Sequence, residues 1–243
     1  MEYISPSRMS LYNQCPLAYD LKYLKTVGIG DETVDWYADY GTLNHSIYEG
    51  IAKKEIVLLE QAFRKFDSDF PSCKVPERNR SDYYKQGREA IERKWSELNR
   101  LNIVGAEVEF TVPIDFTIPP LHGFIDLVYK DEKGRLIVRD YKTSKPYTKS
   151  ILNKQYQPYF YSIACKALFG EYPFKFEFDF VRFNEFRDFI VTEKFVKLGE
   201  IKIKGTWNKM KSGQYPAIYN PFFCSNFCEN RSICPIFQRK NGF

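Results

Sequence analysis

Residues 121–142 read LHGFIDLVYKDEKGRLIVRDYK, two apolar runs of period two joined by a polar turn at 131–134, and this pattern commits the stretch to an antiparallel hairpin. Each run also carries an acid among apolar neighbours: Asp126 sits inside FIDLV, and Asp140 ends LIVRD with Lys142 two positions beyond it. A carboxylate buried without a partner is costly, so these acids need a cation. Because side chains alternate along a strand, Asp140 and Lys142 share one face, while Tyr141 points away and leaves its carbonyl oxygen near that face. With Asp126 opposite them across the hairpin, two carboxylates and one ammonium converge. Hard oxygen ligands suit Mg2+ or Mn2+. A metal there can polarise a phosphoryl oxygen and acidify water, and a nearby lysine can orient that water, so phosphodiester hydrolysis is the chemistry this trio fits. An isolated D-x-K is more often a turn aspartate beside a solvated lysine; the embedding of Asp126 in FIDLV argues for the site.

Helical patterns surround the hairpin. Ser5-Pro6-Ser7 opens the first, with a cap residue followed by proline at the first helical position. Pro16 bends or splits it, and Gly28 and Gly30 end it. A second helical run extends over about 35–66, where Gly41 and Gly50 mark close approaches or changes of direction. A proline-containing loop is expected over 66–81 and another helix over about 82–101. Beyond Gly105 come strands in AEVEFTVPIDF, in LHGFIDLVYK and in RLIVRDYK, then a helix over 150–170 ended by Gly170. FKFEFDFVRF reads as a strand with Phe174, Phe176, Phe178 and Phe180 on one face. A short strand near 188–195 and a helix near 196–211 precede a cysteine-rich tail.

With 44% hydrophobic and 17% aromatic residues the chain is expected to fold, and its formal net charge of +5 suits a polyanionic partner without demanding one. No window reaches the roughly 18 uninterrupted apolar residues of a membrane span, and the start MEYISPSRMS lacks a signal-peptide pattern, so no membrane association and an intracellular location are expected: cytoplasmic, or the host cytoplasm for a phage protein. Cys224, Cys228 and Cys234 form C-x3-C-x5-C, one thiolate short of a tetrahedral zinc site or a 4Fe-4S cluster. Cys73 and Cys165 lack partners in sequence and read as ordinary thiols.

In order along the chain, SPSRMSLYNQCP, GTLNH, GFID, DYKTSK and QPYFY resemble the motif series of the PD-(D/E)XK nuclease superfamily, specifically its RecB-like branch, and the likeness spans nearly the whole chain. It is similar to the cluster-containing CRISPR-associated and AddB-type exonucleases. The resemblance implies a restriction-endonuclease-like α/β fold, a mixed sheet flanked by helices. It implies one domain over 1–243: a mainly helical part at 1–104, a catalytic core at 105–195 and a cluster-binding tail at 196–243. It implies that His45 joins Asp126, Asp140 and the Tyr141 carbonyl around Mg2+ or Mn2+, that Lys142 assists catalysis, and that a Gln/Tyr pair four residues apart supports it. Gln157 and Tyr161 are preferred over Gln155 and Tyr159 because Tyr161 begins the apolar run YSIACKALFG. Glu107 and Glu109 both stand where the family often has a glutamate, and the choice stays open. His122 matches no motif. The likeness also implies Cys15 as fourth ligand to Cys224, Cys228 and Cys234 in a 4Fe-4S cluster, although the x3 spacing departs from the usual x2 and zinc is the alternative.

The implied activity is exonucleolytic hydrolysis of DNA ends or single strands, with partners in recombination, repair or phage replication. Lysines interleaved with aromatics in KTSKPYTKS and KQYQPYFY suit unpaired DNA, with Arg8 and Lys145 as candidate phosphate contacts. The competing reading is a non-catalytic, cluster-containing DNA-binding subunit of a recombination or repair complex. Intact DYK weighs against it.

Overall fold

The structure is a computed structural model that describes residues 2–25 and 36–241. Gly28, Gly30 and Asp35, read above as marking helix boundaries, lie outside these residues. At the N-terminus the Ser5 side chain accepts the Arg8 N–H and caps α1 (Pro6–Gln14). The proline at 16 splits the helix as expected: Cys15 is extended between α1 and α2 (Pro16–Tyr19), and a π-helical turn follows at Asp20–Leu24. The run expected over 35–66 is two helices, α3 (Trp36–Ala52) and α4 (Leu59–Asp69). The break has a cause in Gly50, whose carbonyl accepts the N–H groups of Glu55 and Ile56 at 2.9 Å each; a Cβ on Gly50 would lie 2.8 Å from the Ile56 side chain.

The loop expected over 66–81 is instead largely helical. α4 continues to Asp69, a 3-10 turn covers Phe70–Cys73, and α5 (Glu77–Leu98) starts directly after Pro76. The two prolines there sit in the first positions of the turn and at the helix cap, where a missing N–H breaks no bond. The helix expected over 150–170 is likewise divided, into α6 (Lys149–Leu152) and α7 (Gln157–Phe169), because Pro158 stands in the first turn of α7 and begins a helix rather than continuing one.

β1 (Asn102–Val112), β2 (Leu121–Lys130), β3 (Leu136–Lys142), β4 (Lys175–Phe180) and β5 (Glu185–Ile190) form a sheet in the order β1-β2-β3-β4-β5. Only the β3–β4 pair is parallel, its crossover made by α6 and α7. Thr192 caps α8 (Glu193–Lys211), so residues 193–195 belong to the helix and not to the preceding strand. Phe176, Phe178 and Phe180 are fully buried against the α7 side of the sheet, whereas Phe174 precedes the strand, packs with the other core and lies under the Arg135 guanidinium. The tail forms α9 (Pro221–Asn226) and α10 (Pro235–Asn241).

One core joins the sheet to α1, α7 and α8; the second joins its opposite face to α3, α4 and α5. This is the α/β sheet flanked by helices expected from the sequence. Two strands change faces midway. In β1, Ala106 packs into the α3 core while Val108, Phe110 and Val112 pack into the α7 core. In β2, Leu121 and Ile125 belong to the α7 core but Leu127 belongs to the α3 core. Strict alternation would keep each of these sets on one face. The crossings fall at Glu107 and Asp126, and Glu107 has a left-handed backbone with φ of 48°. No described helix is long and apolar enough to cross a membrane.

Candidate active site

The β2–β3 ladder runs from Lys130↔Leu136 to Leu127↔Arg139 and stops one pair short of Asp126 and Asp140. Beyond that point the strands part. The buried Asp126 Oδ2 accepts the Tyr141 N–H at 2.7 Å, so a side chain takes over the ladder bond and turns its carboxylate into the opening. From α3, His45 places Nε2 3.2 Å from the Tyr141 carbonyl oxygen and Nδ1 3.6 Å from both Glu107 Oε1 and Asp126 Oδ2. Ligand atoms of His45, Glu107 and Asp126 all fall within 4.8 Å of one another. The left-handed turn at Glu107 is what aims it here. Glu109, on the same strand, is exposed and stands across from Phe124, outside this group.

Asp140 and Lys142 share a face as expected, but Asp140 does not mirror Asp126 across a continuous ladder. Its Oδ1 accepts the Gln157 amide at 2.6 Å, and the Lys142 ammonium donates to Gln157 Oε1 at 3.0 Å. Asp140 Oδ2 is buried, off the line of any hydrogen bond, and 2.6 Å from Lys142 Nζ. Gln157 thus closes a triangle with the acid and the base, and Tyr161 backs it with a hydroxyl 3.5 Å from Nε2. The parting of β2 and β3 lets Gln157, which comes from the opposite side of the sheet, line the same cleft as His45 and Asp126. Gln155 bonds the Ile151 carbonyl and Tyr159 stacks on Phe195, so neither joins the site.

The electrostatics describe a cradle that wants a cation. Burial pushes the Asp126 carboxyl up to about 7 against the opposing charge of His45. Burial pulls His45 down, but Asp126, a hydrogen bond to Glu107 and the charge of Asp140 outweigh it and bring the imidazole up to about 9. Lys142 is also held charged: burial lowers it, and Asp140, Tyr147 and Asp126 together outweigh burial and raise it. The imidazole stands among carboxylates at the place where a divalent ion has three nitrogen and oxygen donors within reach. This donor set of one imidazole and two carboxylates fits Mg2+ or Mn2+.

Sequence reading missed the supports of this site. Behind β3, buried Arg139 donates to Glu177 at 2.9 Å, to Glu97 at 2.6 Å and to the Tyr129 hydroxyl at 3.3 Å, while buried Lys94 pairs with Asp179. Arg182 stacks on Tyr83 and donates to the Thr143 carbonyl at 3.1 Å, tying the end of β3 to α5. Alternating charge in KFEFDF was the available signal for this network. Arg8 does not line the cleft; it donates to the Tyr3 carbonyl at 2.8 Å and covers that ring. Lys145 is exposed in the loop after β3.

At the other end of the molecule Cys15, Cys224, Cys228 and Cys234 line one apolar pocket with Leu17 and Phe223. The Ile218 N–H points at Cys15 Sγ, 3.5 Å away. Burial pushes the Cys228 thiol up, a backbone hydrogen bond at Asn230 opposes this, and the adjacent Cys224, Cys15 and Cys234 add to the rise. Among the described residues, His45, Glu107 and Asp126 are the group of three or more possible ligands whose atoms close within 4.8 Å. Cys73 and Cys165 are buried in the two separate cores.

The sequence profile of the PD-(D/E)XK nuclease superfamily matches residues 3–235. A solved structure of a candidate exonuclease from Eubacterium rectale shares the fold, with a TM-score of 0.57 and 15% identity over 98% of this chain and 88% of that one. A second, SSO0001, gives a TM-score of 0.35 and 16% identity over 65% of this chain and 79% of that one, a likeness too small to argue from. No curated protein matches in sequence.

Proposed function

Because the chain belongs to the PD-(D/E)XK nuclease superfamily, we propose that it is a Mg2+- or Mn2+-dependent deoxyribonuclease of the RecB-like branch, acting as an exonuclease on DNA ends or single strands. The observation that carries this reading is the closure of His45, Glu107 and Asp126 into one donor group beside an intact Asp140–Lys142–Gln157 triangle. His45, Asp126, Asp140 and the Tyr141 carbonyl would hold the metal, with Glu107 added to the set. When bound, the metal supplies Lewis-acid charge to the scissile phosphate and acidity to an attacking water. Lys142 steadies the negative charge that develops on phosphate and orients the water. Gln157 fixes the ammonium against Asp140, and Tyr161 fixes Gln157. Lys145, exposed past the end of β3, would meet the DNA backbone.

The test is degradation of single-stranded, duplex and nicked DNA, labelled at either end, with Mn2+. Wild type should release labelled nucleotide, and Asp126→Ala should lose both activity and Mn2+ binding. Lys142→Ala should retain Mn2+ binding by calorimetry while turnover falls about 10²–10³-fold, the scale of a lost transition-state charge contact. Absence of metal-dependent degradation on every substrate overturns the enzymatic reading.

For the tail we propose a structural 4Fe-4S cluster on Cys15, Cys224, Cys228 and Cys234, joining the first helices to the C-terminal segment. Supporting it is one apolar pocket lined by all four cysteines, which brings the N-terminal Cys15 together with the three of the C-terminal segment. Anaerobically purified protein should be brown and carry iron and acid-labile sulfide, both lost in Cys15→Ala. Colourless protein with stoichiometric zinc would overturn the cluster and assign the same ligands to zinc.

A further inference from the structure

We propose that Tyr3, His122 and Phe124 form a base-stacking track that admits unpaired nucleotides and leads them along β2 to the metal-binding end of the cleft. The proposal rests on the nuclease reading for the identity of its ligand. Ahead of the face change at Asp126, the alternation of β2 puts His122, Phe124 and Asp126 on one side, with steps of roughly 7 Å between successive side chains. Tyr3, His122 and Phe124 line the same cleft as His45, Glu107 and Asp126. The strand is thus continuous from aromatic rings to metal donors.

The rings brace one another at an angle, His122 lying at 54° to Tyr3 and at 78° to Phe124. Tyr3 and His122 have centroids 4.4 Å apart and His122 and Phe124 5.6 Å apart, and Phe124 keeps 45% of its surface exposed within a strand whose other face is core. His122 is fixed through Nδ1, 3.0 Å from the Thr111 hydroxyl on β1. Tyr3 is braced by Arg8, whose guanidinium lies 4.3 Å from the ring centroid and donates to the Tyr3 carbonyl. Between the two outer rings of β2, Gly123 rests on Phe110, where an added Cβ would come within 3.0 Å of that ring. Across from Phe124 stands the carboxylate of Glu109. An acidic neighbour repels phosphate, so a strand lying here turns its bases to the rings and its backbone outward. Bases already paired in a duplex cannot present their faces in this way, which makes the track selective for single strands and frayed ends.

The experiment measures binding of the full-length protein in EDTA, where no metal-dependent cleavage occurs, to a single-stranded oligonucleotide carrying 2-aminopurine and to the matching duplex. Wild type should bind the single strand and quench the probe by stacking. Phe124→Ala should weaken single-strand binding about tenfold, the scale of one lost base–aromatic stack, and relieve the quench. Phe124→Tyr should preserve both, and duplex binding should not change. His122→Ala, with a thermal melt matching wild type, provides an independent second variant with the same expected direction. Single-strand affinity within twofold of wild type for both alanine variants overturns the track, as does an equal loss on duplex or no binding by wild type. Cleavage with Mn2+ is read separately. Binding and quench without cleavage would sink the nuclease reading and leave the track, while cleavage unaffected by the variants in affinity or quench would do the reverse.

Discussion

Replacing Arg139 by methionine tests whether the buried charges behind β3 hold the strand that presents Asp140, Tyr141 and Lys142. Arg139 is 3% exposed and faces Glu177, Glu97 and, at 3.7 Å, Asp179. Methionine keeps most of the volume and removes the charge, leaving three carboxylates to Lys94 and the partly exposed Lys175, which pairs with Glu177 at 2.6 Å. Removing one partner of a buried pair costs about 3–5 kcal/mol, chiefly because the other charge stays desolvated. For a chain of this size each kcal/mol lowers the melting temperature by about 2–4 °C, so a fall of roughly 6–20 °C is expected. Urea unfolding of wild type, Arg139→Met, Glu177→Leu and the double variant separates two explanations. If the penalty is the stranded carboxylate, the double variant recovers about 1 kcal/mol or more relative to Arg139→Met, since apolar replacement of a buried pair is often neutral. A loss below about 1 kcal/mol in the single variant, or no recovery in the double, refutes the reasoning.

The same network sets an acid limit. Burial pushes Glu97 and Glu177 up, but Arg139 with Lys94 or Lys175 holds both below the usual carboxylate range. Their stabilisation is therefore complete above the unfolded value, about 4.3, and is lost as pH falls through the lower folded values. Asp179, which burial raises, contributes in the opposite sense, stabilising below its unfolded value and losing that as pH rises through the folded one. The part of the acid loss that Glu97 and Glu177 contribute depends on Arg139, so the fall of the urea midpoint below about pH 4.3 should be smaller in Arg139→Met than in wild type, and identical profiles would contradict it. At Glu107 the left-handed backbone disfavours any side chain, so Glu107→Gly should be about 1 kcal/mol more stable than Glu107→Ala by chemical denaturation, while both bind Mn2+ more weakly than wild type; equal stability would show the strain to be absent. Gly87→Ala on α5 should be destabilising by about 1–3 kcal/mol in urea despite alanine's helix preference, because the new methyl would stand 2.7 Å from Phe66 Cε2 and 2.9 Å from the Tyr40 hydroxyl. A more stable variant would mean that Phe66 moves aside freely.

Local chemistry made much of this molecule legible beforehand. The Ser5 cap, the split at Pro16 and the β2–β3 hairpin depend on residues adjacent in sequence, and each is found. The preference for Gln157 over Gln155 is supported by position, because Gln157 begins α7 and reaches through the parted strands. The errors lie where long-range packing decides. Ile56 folding back onto Gly50 ends α3, a contact that no helical period displays. Prolines within 66–81 looked like a loop because their composition is the same whether they interrupt helices or start them. Arg139, Glu177 and Asp179 carry no sequence signal of their pairing, since their partners Lys94 and Glu97 join β3 and β4 to a helix far away in the chain.

The placement of the metal donors has a deeper reason for escaping a pattern-based reading. Period-two reasoning assumes that a strand keeps its faces, and that assumption puts Glu107 and Glu109 on a par. In the folded chain β1 and β2 exchange faces at Glu107 and Asp126, the two positions that meet His45. An acid at such a crossing belongs to neither core. It can be held by buried neighbours on both sides while its carboxylate points along the sheet into the gap left by the parted ladder. The strain at Glu107 and the side-chain bond from Asp126 to the Tyr141 N–H are thus two parts of one arrangement. The sheet gives up regular pairing at the point where it gathers three candidate ligands, and the buried Arg139 network ties β3 to α5 beside it. That is why the site can be rigid and yet built at a break in the structure.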